Sequence, residues 1–114
     1  RYKRSKAELI SMDMFLWLAA GHFIGDFAFQ SVWMSEAKRN SWEVMFYHAA
    51  TYSLTIMTVV AIGGFRFPPE ITGLFFISHF LIDPLKARWG IIKHIWLDQI
   101  LHLSVILAVI SMFQ

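Results

Sequence analysis

Three His/Asp pairs, each spaced four residues apart, interrupt stretches of chain otherwise apolar enough to cross a lipid bilayer. They are His22 with Asp26, His79 with Asp83, and Asp98 with His102; a lone His48 stands in a fourth apolar stretch. Residues i and i+4 of a helix share a face, so each pair aims two ligand-type side chains the same way. An ionisable group at the centre of a membrane helix costs roughly 3 kcal/mol on insertion scales, so the three aspartates together cost on the order of 9 kcal/mol unless they meet partners. Such a chain must fold so that these groups find one another.

The composition supports a membrane setting. Of 114 residues 57% are hydrophobic and only 16% charged, against about 25% charged in a typical soluble domain. This length allows a single domain. The net charge of +2 is too small and too scattered for a nucleic-acid partner. With no cysteine, disulfides and thiolate metal sites are excluded. No cleavable signal peptide is expected, because the first apolar stretch is long and carries the His22–Asp26 pair.

A hydrocarbon core about 30 Å thick needs about 20 helical residues. After a basic N-terminal segment (residues 1–8, with Arg1, Lys3, Arg4 and Lys6), one domain spans 9–114 with helices predicted over about 9–30, 43–62, 69–87 and 95–113. Residues 31–42 (SVWMSEAKRNSW) read as a polar loop. Ser41 suits an N-cap and Gly63-Gly64 a stop for the second helix. Pro68-Pro69 suits the first turn of the third, and Pro84 is expected to kink or fray it just after Asp83. Strands are not expected, since the apolar runs lack alternation. The expected fold is an all-α membrane protein, four transmembrane helices in an up-down-up-down antiparallel bundle, because the connections are short.

With alternating directions, His22 and Asp26 late in helix one, His48 early in helix two, His79 and Asp83 late in helix three, and Asp98 and His102 early in helix four fall at similar depth near one membrane face. The strings HFIGD at 22–26 and HFLID at 79–83 echo each other, and a histidine follows each about 25 residues on (His48, His102), as in a parallel duplication. Gly21 and Gly25 have the G-x-x-x-G spacing that permits close helix contact.

Imidazole and carboxylate ligands suit a divalent ion such as Zn, Fe or Mn. The candidate ligands are His22, Asp26, His48, His79, Asp83, Asp98 and His102. Seven groups exceed one mononuclear shell, which leaves two arrangements open: a dinuclear centre, or a single ion whose histidines are oriented by aspartates. Water on such an ion titrates near neutrality and can attack an ester, amide or phosphate. Asp26, Asp98 and Gln99 are the candidate catalytic groups, Gln99 and Gln30 being neutral donors and acceptors that could hold an aspartate or substrate. Tyr47 and Tyr52 flank His48 and could give it a phenolic hydrogen bond. Lys86 and Arg88 lie at the mouth, where an anionic head group could be held. His94 reads as a loop histidine, Asp13 as a residue of the opposite surface, and the tryptophans as interfacial belts. Helix-spaced His/Asp pairs equally serve as polar glue, worth about 1 kcal/mol or less each in membranes.

The series HFIGDFAFQ, HAATY, HFLIDPLK and LDQILH resembles a small bacterial and phage membrane family known only as a domain of unknown function, the 3307 family. The resemblance runs from Met14 to the end of the fourth helix, on His22, Asp26, Gln30, His48, His79, Asp83, Asp98, Gln99 and His102. It implies a multi-pass protein of the bacterial inner membrane and leaves the reaction open.

Lys38, Arg39, Lys86, Arg88 and Lys93 on the site side balance Arg1, Lys3, Arg4, Lys6 and Arg66 on the other; the basic short loops tilt the site towards the cytoplasm. Three functions compete. The first is a membrane-embedded metal-dependent hydrolase of a membrane-proximal substrate. The second is a small accessory subunit of a larger membrane assembly, with the cluster as polar network or as ligand to a metal or cofactor. The third, a proton or ion path, is disfavoured because the far helix halves carry almost no ionisable groups.

Overall fold

In the computed structural model the described residues are 5–28 and 30–113; Arg1, Lys3 and Arg4 of the basic segment lie outside them. Every regular element among them is helical: α1 (Lys6–Phe23), which runs on as a π-helical turn (Ile24–Ala28), α2 (Val32–Ala37), α3 (Trp42–Ile62), α4 (Pro69–Ala87) and α5 (Ile95–Met112).

The ends follow local chemistry. Ser5 and Glu8 form a reciprocal capping box at α1, satisfying two orphan donors. Ser41 caps α3 by accepting from the Val44 amide at 3.2 Å, and Gly63 closes it, with Gly64 at φ 92°. Pro69 stands at the first position of α4. Pro84 does not end α4, which continues to Ala87; the Pro84 carbonyl accepts the amides of Arg88 and Trp89.

Two departures from expectation matter for the site. The predicted loop 31–42 contains the short helix α2, whose N-cap Ser31 accepts from the Met34 amide at 3.0 Å. Six residues of mixed polarity are too short to show helical periodicity. The second departure is the π turn, which places Asp26 on a wider turn than an α-helix would. π turns inside α-helices are frequent at functional sites.

Four long helices were expected to cross a membrane, and three are long and apolar enough to do so: Lys6–Ala28, Trp42–Ile62 and Ile95–Met112. Helix α4 is set apart by Glu70, Asp83 and Lys86 within its 19 residues.

Helix α1 packs on α3, α3 on α4, α4 on α5, and α5 back on α1, while α2 rests against α3. Each long helix buries one narrow stripe at three- or four-residue spacing: Met14, Leu18, Gly21, His22 on α1; His48, Tyr52, Ile56, Val60 on α3; Ile71, Phe75, His79, Asp83 on α4; Asp98, His102, Ile106, Val109 on α5. One end of every stripe is polar and the other apolar. The apolar ends form the core around Leu18, Ile56, Phe75, Ile106 and Val109. Glycine spacing sets the α1–α3 approach. A Cβ on Gly21 would stand 2.8 Å from Ile56 Cα, and one on Gly25 3.2 Å from Tyr52 Cα. Large apolar side chains such as Leu16, Leu54, Leu81 and Leu107 point outward, as lipid contact allows.

Candidate metal centre

The polar ends of the four stripes meet. His22, Asp26, His48, His79, Asp83, Asp98 and His102 are all buried, none more than 5% exposed. Among the described residues two sets of three can each offer one ligand atom with all atoms within 4.8 Å: Asp26, His48 and His79, and Asp26, Asp98 and His102. Asp26, aimed by the π turn, belongs to both.

In the first set the Nε2 atoms of His48 and His79 stand 2.8 Å apart, and Asp26 Oδ1 lies 3.4 Å from the former and 3.7 Å from the latter. An ion bound tetrahedrally at about 2.0–2.1 Å spaces its donors about 3.3 Å apart; the three observed separations bracket that value. Without a cation between them, two facing imidazole nitrogens require one ring to carry the proton.

Asp83 Oδ2 faces the same nitrogens at 3.4 and 3.7 Å, but the same oxygen accepts from Lys38 Nζ at 2.6 Å. Lys38 also donates to Gln30 Oε1 at 2.6 Å and is itself buried. This lysine, placed by the end of α2, has the sequence signature of a loop charge and no more. Nothing in its local composition marks it, because its burial depends on a short helix that periodicity does not reveal. Gln30 therefore reaches the cluster through Lys38 and not by holding an aspartate directly.

In the second set His102 Nε2 and Asp98 Oδ1 lie 3.4 Å apart, yet both are buried without a hydrogen-bond partner. The separation permits attraction; the alignment does not make a hydrogen bond. Such orphaned pairs are rare and call for an explanation, and a shared cation is one. Lys86 Nζ approaches the other Asp98 oxygen at 3.6 Å.

His22 stands differently. Gln99 donates its amide to Asp26 Oδ2 and Asp98 Oδ2, both at 3.2 Å, so its carbonyl must face His22 Nε2, 2.7 Å away. That nitrogen then carries the proton, and His22 Nδ1 accepts from the Tyr52 hydroxyl at 2.7 Å. Both ring nitrogens of His22 are thus engaged, and its place is to orient Gln99 between two carboxylates. Tyr52 serves His22 and not its sequence neighbour His48, and its ring stacks on His79 at 4.1 Å, which in turn stacks on His102 at 4.6 Å. Tyr47 is exposed with its ring on Phe46. The two H-F-x-x-D segments differ in bonding: His22 is fully hydrogen-bonded, whereas His79 faces His48 and keeps Nδ1 unpartnered.

Arg88, expected at the mouth, lies over the Trp42 ring at 4.2 Å. His94 is exposed at the N-cap of α5, and Asp13 is exposed on α1.

The family described as Protein of unknown function (DUF3307) matches residues 14–114. The chain belongs to that family. The match covers all seven His/Asp residues of the cluster as well as Lys38, Tyr52 and Gln99, so the DUF3307 region contains the whole centre. No curated protein and no solved structure matches the chain.

Proposed function

We propose that this chain is a multi-pass protein of the bacterial inner membrane that binds a divalent ion such as Zn, Fe or Mn in its His/Asp cluster and uses it for hydrolysis of a membrane-proximal substrate. The single observation that carries the reading is the convergence of Asp26, His48 and His79, with donor separations of 2.8, 3.4 and 3.7 Å, beside a second set that shares Asp26. A carboxylate common to two ligand sets is what a dinuclear centre needs, and three protein ligands leave a coordination position for water.

In this reading α4 crosses the membrane with the other three long helices in an up-down-up-down bundle, with Asp83 buried in the cluster, Lys86 beside Asp98, and Glu70 exposed in its first turn. Asp26 and Asp98 would hold the ions, with Gln99 fixing their orientation; a bound ion would supply an acidified water, and Asp83, facing both imidazoles, would take its proton. During hydrolysis the water oxygen bonds to the carbonyl carbon or phosphorus and the bond to the leaving oxygen breaks. The proton given to the carboxylate ends on that leaving oxygen.

A second reading has its own support. The run Tyr52–His22–Gln99 to Asp26 and Asp98 joins α3, α1 and α5 by hydrogen bonds alone, as expected of a polar network that steadies a small accessory subunit of a larger membrane assembly. Element analysis of the detergent-solubilised chain separates the two. The metal reading expects one to two ions per chain, lost in His79→Ala; a wild type free of metal eliminates it.

A further inference from the structure

A second feature adjoins the cluster and has no part in the ligand sets. A cavity of about 590 Å³ opens between the segment from Gln30 through α2 to Arg39 and the loop that follows α4. Its polar wall is Gln30, Ser35, Lys38, Arg39, Lys86 and Lys93, and among the described residues no carboxylate lines it.

Two of these cations reach the cluster from the cavity. Lys38 touches Asp83, which faces the imidazoles of the first ligand set, at 2.6 Å, and Lys86 approaches Asp98 of the second at 3.6 Å. The other two, Arg39 and Lys93, are exposed and have no ion pair among the described residues. A concave site with excess positive charge, a hydroxyl and an amide suits a compact oxyanion with several acceptor oxygens. Phe27, Ile92 and Ile95 form an apolar flank against which the carbon chain of an ester could lie.

We propose that this cavity binds the phosphate group of an anionic ligand and presents it to the His/Asp cluster, Arg39 and Lys93 supplying the main attraction and Lys38 and Lys86 linking the anion to the carboxylates. As a statement of substrate class, a phosphate ester, it rests on the hydrolase reading; as a statement of binding it stands alone. The phosphate can belong to a lipid headgroup or to a soluble ester.

The test is titration of the purified full chain in phosphatidylcholine nanodiscs with inorganic phosphate, followed by calorimetry, with metal content measured on the same samples. Wild type is expected to show saturable binding, weakened about thirtyfold in the Arg39→Ala/Lys93→Ala double variant, about fivefold for each basic side chain lost. Metal content should be unchanged, since neither residue belongs to the cluster and both are exposed. Phosphatidic acid in the nanodisc that displaces inorganic phosphate supports the proposal with a lipid source; phosphate binding indifferent to that lipid supports it with a soluble one. Wild type without saturable phosphate binding in either disc overturns the proposal, as does a double variant that binds as tightly as wild type. Metal-free wild type that still binds phosphate would end the metal reading and leave the cavity assignment standing.

Discussion

The two ends of the helical stripes obey different physics. At one end Leu18, Ile56, Phe75, Ile106 and Val109 fill the space between helices with carbon. At the other, seven imidazoles and carboxylates fill the same space with groups that must be partnered. Lipid is as apolar as leucine, so the apolar end gains from close packing and not from escape from water; Gly21 and Gly25 serve that end by letting α1 touch the α3 backbone. The polar end gains only when every charge is answered. Lys38 answers Asp83, Gln99 answers Asp26 and Asp98, but Asp98 Oδ1 and His102 Nε2 have no hydrogen bond. A packing end can be optimised by shape alone, whereas a polar end left partly unsatisfied gives up stability that full pairing would add.

The contrast is broken most completely at Asp26. Asp26→Asn keeps the side-chain shape and its hydrogen bond from Gln99 in altered form, yet weakens the ligand common to both sets. Changes merely adjacent to metal ligands cost about 10–100-fold in affinity, so here a loss of more than about 100-fold is expected, read as metal per chain after dialysis against a weak chelator. Retention of full metal would show that Asp26 is not a ligand. The next largest effect belongs to Lys38→Met. Removing one partner of a buried ion pair costs about 3–5 kcal/mol, because Asp83 is left charged and unanswered. Denaturant unfolding should show that loss in chelator-treated protein and a smaller one with metal present, since an ion beside Asp83 replaces the missing ammonium. Ile106→Ala, at the apolar end, is expected to cost about 2–5 kcal/mol as large-to-small core substitutions do, with metal content untouched. A drop in metal there would mean the two ends are not separable.

How much of this the sequence revealed differs by residue. The helices and their stops were legible because Ser41, Gly63-Gly64 and Pro68-Pro69 act locally, and the H-x-x-x-D and D-x-x-x-H spacings announced the cluster because one helical face is a local property too. The exchange of partners was not legible. That Tyr52 serves His22 and not His48 follows from how α1 and α3 register through Gly21 and Gly25, a contact between residues 30 apart. Lys38 was hidden for a similar reason: a lysine in a polar dodecapeptide looks solvated until α2 turns it inward onto Asp83. The π turn at Ile24–Ala28 left no trace in the residue pattern at all, though it aims the one carboxylate that both ligand sets share.

Tyr52 sits on the border between the two ends, and the smallest effect tests whether they communicate. Its ring belongs to the apolar core and stacks on His79, while its hydroxyl donates to His22. Tyr52→Phe keeps the ring and removes only the hydroxyl, so the packing end should be undisturbed. His22 Nδ1, fully buried, then lacks its donor, at a cost of about 1–3 kcal/mol. If His22 holds Gln99, and Gln99 holds Asp26 and Asp98, the slackened chain should also weaken metal binding by about tenfold, the lower end of what outer partners of a metal site are worth. The double variant Tyr52→Phe/Gln99→Leu supplies the decisive comparison. Members of one hydrogen-bond chain are not additive, so the second change should cost less metal affinity once the first is made. Strict additivity would mean that Tyr52 and Gln99 act on the cluster separately, and that the hydrogen-bonded run through His22 carries no orientation to the carboxylates.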